Sequence, residues 1–297
     1  MNGPAPEKFR DPSLVDFGMT PSGGGRRLEF LGGVLVDRPL PLPDLPPCRS
    51  PAVWPQAGAG FRDTGGWELA PAVPDPWVVR VPLAADRGRS AITLEVRPAP
   101  SGQTGVFLEQ VPQWQWLYRS TPRGCRVLSL FAHSGAATLT LAAAGAEVVH
   151  VDASKQATAL ARRNAAASTL NAAPIRWLCE DARGFVAREL RRGGRYDGVV
   201  LDPPSWGHGP KGQAFAIDRD LEPLLADLAR LLGPDRGSGP RGPLLITCHS
   251  PRWHHRRLRD TLAGAFHLSA CESGRLSCTD ATGRDLPLGD YARHIPA

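Results

Sequence analysis

The sequence predicts an α/β fold: a Rossmann-like, doubly wound, mostly parallel sheet with a small β-rich region at the N-terminus. Three observations lead there. From about residue 126, short apolar runs alternate with longer segments of helical periodicity. One run, Val199-Val200-Leu201, shows no polar alternation, as expected of an inner parallel strand, and ends in Asp202-Pro203-Pro204. Before about residue 120 the chain is instead rich in Pro and Gly, with only short strand-like pieces.

The elements follow in order. Residues 27–30 and 34–37 read as a hairpin around Gly32 and Gly33. Residues 38–60 carry many prolines and read as loop, and 77–81 and 91–96 as further strands. Residues 1–100 are therefore expected to form a β-rich region. Strands are expected at 127–131, 148–151, 175–179, 196–201 and 243–248. Helices are expected at 136–144, 155–167, 182–192, 218–232 and 252–266. Leu221, Leu224, Leu225, Leu228 and Leu232 give the fourth helix one apolar face. Regular βα alternation implies right-handed crossovers and a ligand site at the carboxyl ends of the strands.

Composition narrows the function classes. The chain has 297 residues, 42% hydrophobic, enough for a sizeable core. No run approaches the ~20 apolar residues of a membrane helix, and the first residues have no apolar signal core. A cytoplasmic protein without membrane partners is expected. The six cysteines include no C-x-x-C pair, so neither a zinc site, a bound metal nor a disulfide scaffold is expected. The net charge of +6 is carried mostly by Arg, which pairs well with phosphate.

Three acids follow three strands: Asp152, Asp181 and Asp202. In a doubly wound sheet they share one rim. Asp152 is placed to accept ribose hydroxyls or to cap the next helix, and Asp181 to accept from an adenine amino group or to cap its own helix. The turn from Phe131 to Ala136 has one glycine, so it is neither a dinucleotide fingerprint nor a P-loop. That speaks against an NAD-linked oxidoreductase.

Val127-Leu-Ser-Leu-Phe-Ala-His-Ser-Gly135, Val151-Asp-Ala-Ser154 and Leu201-Asp-Pro-Pro204 follow Gly105-Val-Phe-Leu-Glu-Gln110 and precede Gly209-Pro-Lys-Gly212. In this order they resemble bacterial class I S-adenosylmethionine-dependent methyltransferases related to the 23S ribosomal RNA cytosine-C5 methyltransferase. The likeness is best over residues 100–250 and fits a subgroup without the compact N-terminal RNA-binding domain. Ala136 departs from a second glycine common in that family.

The resemblance implies a methyltransferase domain over residues 101–297, with S-adenosylmethionine as cofactor and RNA, ribosomal RNA foremost, as substrate. It implies that Phe131, Ala132, His133, Ser134 and Gly135 line the methionine part and that Glu109 and Gln110 lie near its amino-acid end. Asp152, with Ala153 and Ser154, would hold the ribose, and Asp181 with Ala182 would flank the adenine. Asp202 and Pro203 would sit beside the methyl, with Pro204, Trp206 and Lys211 toward substrate. Methylation of carbon-5 of cytosine needs a thiolate, and Cys248, ending the fifth strand, is the candidate. Without it, a ring or exocyclic nitrogen is the more natural acceptor. Methylation of a small molecule or protein, or RNA binding without catalysis, are the competing readings.

Overall fold

A computed structural model describes residues 9–20, 24–42, 44–62, 64–84, 87–208, 214–232 and 240–295. The chain forms two compact units that interleave along the sequence. The first takes residues 1–81, 93–111 and 277–287, and the second residues 82–92, 112–276 and 288–297.

In the first unit, β1 (Ser13–Met19), β2 (Gly25–Leu31), β3 (Val34–Pro39), β4 (Ala59–Arg62) and β5 (Gly66–Leu69) make a five-stranded sheet in that order. The turn between β2 and β3 is Gly32-Gly33, with φ of +57° and +81°. Side chains with a Cβ resist that left-handed backbone, so two glycines set the register. Both turn amides donate to the Asp11 carboxylate, at 2.8 and 3.0 Å. Val15, Leu28, Phe30 and Leu35 form a small apolar core.

Charged groups are buried in this unit as well. Arg38 clamps Glu29 through two bonds of 2.6 and 3.0 Å, with both residues buried. The fully buried Asp16 accepts from Arg284 Nη2 at 2.6 Å, from the Arg49 and Ser50 amides and from Trp54 Nε1. β6 (Val78–Pro82) and β7 (Ala91–Glu95) pair as a separate ribbon.

The second unit is built on a larger sheet. After α1 (Val111–Ser120) come β8 (Arg126–Leu130), α2 (Ala136–Ala143), β9 (Glu147–Asp152), α3 (Lys155–Ala167), β10 (Ile175–Cys179), α4 (Ala182–Arg191) and β11 (Gly198–Leu201). A short hairpin, β12 (Trp206–His208) with β13 (Ala214–Ala216), leads into α5 (Ile217–Leu232). β14 (Leu244–Cys248), α6 (His255–Phe266), β15 (Glu272–Thr279) and β16 (Asp285–His294) complete it.

The strand order is β10-β9-β8-β11-β14-β16-β15. The first five strands are parallel, and β16 runs antiparallel to β14. Alternate side chains serve opposite faces, as the pleat requires. Leu128, Leu130, Val149, Val199, Leu201 and Ile246 pack with residues of α4, α5 and α6. Val127, Val148, Val200 and Leu245 pack on the other face with Trp116, Leu117 and Leu141 from α1 and α2. Among the described residues, no helix is long and apolar enough to cross a membrane. The expected doubly wound sheet is present. The antiparallel strand β16, the helix α1 and the β12–β13 hairpin are additions to what the sequence predicts.

Candidate active site

The strand order places a topological switch point between β8 and β11. From β8 the chain steps outward to β9 and β10, then returns to β11 and proceeds to β14. Diverging connections leave a crevice at the carboxyl ends of these two strands, where open α/β sheets bind ligands. Asp202 follows β11 and the segment from Phe131 to Gly135 follows β8, so both line the crevice.

The loop after β8 is strained. Phe131 and His133 adopt φ of +54° and +43°, and Gly135, which opens α2, adopts +82°. Such conformations persist only where neighbours over-determine them, and they gather at functional sites. Gly135 is fixed for a second reason: an added Cβ would lie 2.7 Å from the Ala161 Cβ on α3. The Ser134 carbonyl accepts from Asn164 Nδ2 at 2.8 Å, with Asn164 fully buried. Phe131 packs on Phe215 of β13 at 5.0 Å between ring centroids.

A buried polar chain supports this loop from below. Thr138 Oγ1 lies 3.0 Å from both Ser129 Oγ and His150 Nδ1. His150 is fully buried and packs on the Trp177 ring at 4.8 Å. Burial first, and then Arg162 and His133, push its pKa down to about 3, so it is neutral at physiological pH.

Asp152 ends β9 and ties two loops together. Its Oδ2 accepts from the His133 amide and its Oδ1 from the Ser154 amide, both at 2.8 Å. Each carboxylate oxygen keeps a further lone pair. Ser154 caps α3 through Ala157 N, and the Ala153 carbonyl lies 3.5 Å from Cys179 Sγ. Asp181 is the N-cap of α4, accepting from Gly184 N at 2.9 Å, and Ala182 is buried behind it. The capping alternative for Asp181 is thus realised through one oxygen.

The turn after β11 carries Asp202, buried Pro203 and exposed Pro204, then Trp206 at 60% exposure. Ser205 in this turn accepts from Ser250 Oγ at 2.8 Å, joining it to the turn after β14. His249 Nε2 faces Asp202 Oδ1 at 3.8 Å, and His249 Nδ1 lies 2.8 Å from the Leu288 carbonyl oxygen. His249, the first residue past β14, is a rim residue by the same rule that picks out the three acids. Lys211 lies outside the described residues.

Cys248 does not meet the demands of a nucleophile. It is 1% exposed and points with Leu244 and Ile246 into the core against α5 and α6. Burial above all raises its pKa to about 11, and the nearby Asp202, Asp290 and Asp218 add to the shift. A reactive cysteine needs the opposite environment, electropositive and open. The residue that leaves the strand end toward the rim is His249, not Cys248.

Glu109 and Gln110 lie in the first unit, in a short 3-10 turn, Leu108–Gln110, and both are buried. Glu109 Oε2 has no hydrogen-bond partner there. Such a buried acceptor is a cost unless a ligand satisfies it. Among the described residues, no group of three or more His, Cys, Asp or Glu side chains is placed to hold a metal ion.

Residues 84–252 match the family model described as S-adenosylmethionine-dependent methyltransferase. A crystal structure of a SAM-dependent methyltransferase from Agrobacterium tumefaciens superposes with a TM-score of 0.81 at 32% identity, covering 97% of this chain and 91% of that one. The ribosomal RNA large subunit methyltransferase K/L of Hahella chejuensis is 31% identical over 152 residues, 50% of this chain and 20% of that protein. The ribosomal RNA large subunit methyltransferase I of Aeromonas hydrophila is 30% identical over 188 residues, 63% of this chain and 45% of that protein. The chain thus spans less than half the length of either curated relative. Family match and strained switch-point loop agree: the chain belongs to the S-adenosylmethionine-dependent methyltransferases.

Proposed function

We propose that this protein transfers a methyl group from S-adenosylmethionine to a base of RNA, ribosomal RNA foremost. The observation that carries the reading is the rim at the switch point. There an acid, a rigid Pro-Pro turn and a largely exposed Trp206 stand together beyond β11. An exposed aromatic beside a carboxylate suits a base taken out of its stack, because every base offers a face to stack and an edge to hydrogen-bond. The likeness to two ribosomal RNA large subunit methyltransferases points the same way. A ribosomal RNA substrate implies the cytoplasm as the place of action.

The residues at the rim fit the cofactor. Asp152, held by two amides, keeps lone pairs for a pair of ribose hydroxyls. Asp181 spends one oxygen on its helix and keeps the other for an adenine amino group. Ala153, Ser154 and Ala182 shape the walls beside them. The backbone from Phe131 to Gly135 lines the crevice, and Gly135 packs against Ala161 of α3. Glu109 and Gln110 are assigned to the cofactor's amino-acid end on the resemblance alone. Bound S-adenosylmethionine supplies an electrophilic methyl on a sulfonium sulfur. Asp202 and Pro203 orient the acceptor, Pro204 and Trp206 hold its ring, and Lys211 is assigned to phosphate.

A buried, protonated Cys248 removes the covalent route to carbon-5 of cytosine, which leaves a nitrogen as the acceptor. The test is transfer of labelled methyl to deproteinised ribosomal RNA from cells lacking the gene, with Asp202→Ala, Trp206→Ala and Cys248→Ala alongside. The reading expects label in RNA, a severe loss in Asp202→Ala, a raised KM in Trp206→Ala and retained activity in Cys248→Ala. Cofactor binding with no label in RNA would transfer the search to small molecules and proteins. Label as 5-methylcytidine that disappears in Cys248→Ala would restore the thiolate mechanism.

A further inference from the structure

The loop between β8 and α2 keeps its strained form through bonds from two neighbouring elements. Its tight turn runs from Ala132 to Gly135 and is closed by the Gly135 amide, which donates to the Ala132 carbonyl at 2.9 Å. His133, the first central residue of that turn, has a positive φ, a setting that favours Gly over His. From β9, the Val151 carbonyl accepts from the Ala132 amide at 3.3 Å, and Asp152 Oδ2 accepts from the His133 amide at 2.8 Å. From α3, Asn164 Nδ2 donates to the Ser134 carbonyl at 2.8 Å.

The inner side of α3 suits this contact. Its buried residues include Ala157, Ala161 and Ala165, with Asn164 as the one amide side chain among them. Gly135 rests directly on Ala161, where an added Cβ would lie 2.7 Å from the Ala161 Cβ. Asn is a poor helix former, and its amide is costly in a protein interior unless it is bonded. The Ser134 carbonyl, 30 residues earlier in the chain, supplies a partner. Asn164 is fully buried, so a carbonyl bonded to it points into the protein and not toward the rim.

That bond fixes a peptide with little resistance of its own. The Ser134 carbonyl and the Gly135 amide belong to one peptide group, and glycine tolerates the φ that follows a flip. A flip would turn the oxygen outward and break the bond from Gly135 to Ala132. We propose that Asn164 is a positioning residue for the cofactor, which locks the Ser134–Gly135 peptide from α3 and so preorganises the loop before S-adenosylmethionine arrives. The inference rests on the reading of residues 131–135 as the subsite of the cofactor's methionine part. Asn164 touches no reacting atom and acts through the backbone. Asp152 holds the same turn at His133 and accepts from the amide of Ser154, the N-cap of α3. The turn is thus tied to α3 near both ends of the helix. A loop held ready needs no ordering on binding. Without the lock the competent fraction falls, and the apparent affinity falls by the same factor.

Calorimetric titration of S-adenosylmethionine into wild type, Asn164→Ala and Asn164→Leu tests this. Leu keeps the branched shape of Asn without the donor, and it carries the comparison where Asn164→Ala fails to fold. Both variants are expected to bind about 10-fold more weakly, the scale of strain at one such residue. In the ligand-free variants, hydrogen exchange of the Gly135 amide is expected to quicken by a similar factor. Leu262→Ala, at a fully buried position of α6, is the stability control. It is expected to lower the thermal midpoint and leave the affinity unchanged. Glycine at 133 takes a positive φ without strain, so either Asn164 variant is expected to lose less affinity in a His133→Gly background. Wild-type affinity with Gly135 still protected, an equal affinity loss in Leu262→Ala, or losses that simply add to those of His133→Gly would each overturn the proposal. Asp152→Ala, run in parallel, separates the two failures. If it too binds like wild type, the reading of the rim as the cofactor site falls, and the lock with it. If it loses binding while the Asn164 variants keep theirs, only the role of Asn164 falls.

Discussion

The two units both bury apolar side chains between β-strands, but only the five-stranded sheet adds buried ion pairs to them. The parallel sheet is lined by Leu, Val and Ile on both faces, from Leu128 and Leu130 to Val200 and Leu245. The interior of the five-stranded sheet, beside Val15, Leu28, Phe30 and Leu35, also holds Asp16, Glu29, Arg38 and Arg284 in paired, hydrogen-bonded form. Apolar packing tolerates local repacking, whereas a buried charge tolerates no loss of its partner. The second unit can therefore carry a strained loop and a polar crevice on an apolar base. The first depends on a few specific ion pairs.

The largest expected effect tests the first unit. Arg38→Ala leaves Glu29 buried without its two-pronged partner and is expected to destabilise by about 3–5 kcal/mol in urea unfolding. Arg38→Lys keeps the charge but not the fork and should lose less. Equal stability of Arg38→Ala and wild type would break the contrast. Next comes the second unit. Leu128→Ala on the central strand should cost about 3 kcal/mol, the usual loss for a fully buried leucine.

Acid sharpens the comparison further. His150 has a folded pKa of about 3, far below the ordinary ~6.5 of the unfolded chain. Between those values the unfolded state binds the extra proton, so stability rises with pH and falls on acidification. The slope from this one group is about 1.4 kcal/mol per pH unit, or about 2 kcal/mol lost by pH 5. A His150→Asn variant should show a shallower slope across that window. For Glu29, burial pushes the carboxyl pKa up, but Arg38 and Arg27 outweigh it and hold it below the usual range. Its stabilisation is present above the ordinary carboxylate pKa and is lost only as pH falls through the lowered value. Acid should thus act on the apolar unit before the charged one. The smallest effect is chemical. At pH 8 a mild alkylating agent should modify exposed Cys179 and spare Cys248 in the folded protein, as peptide mass spectrometry would show.

The same contrast explains what was legible in the sequence. Apolar runs ending in Asp152, Asp181 and Asp202 marked the parallel strands and their rim, because there the rule that apolar means inside holds. It fails in the first unit, where β1 hides Asp16 and β2 hides Glu29. Alternation would turn such charges toward solvent, and β1 went unseen. Helix α1 was hidden by Pro112 and by three aromatics, Trp114, Trp116 and Tyr118, that gave no clear helical stripe, although all three are buried. Strands β15 and β16 carry polar residues at most positions and showed no apolar run. At the site, Cys248 was singled out by residue type, whereas strand parity decides: with Leu244 and Ile246 facing the core, Cys248 must follow them.

The central claim is that the crevice between β8 and β11 binds S-adenosylmethionine through an acid already anchored there. Calorimetric titration of the cofactor into wild type and Asp152→Ala tests it most directly. The prediction is clear binding by wild type and a loss of about 100-fold in Asp152→Ala, as expected for removing hydrogen bonds to a charged group. Equal affinity in the two proteins would contradict the account.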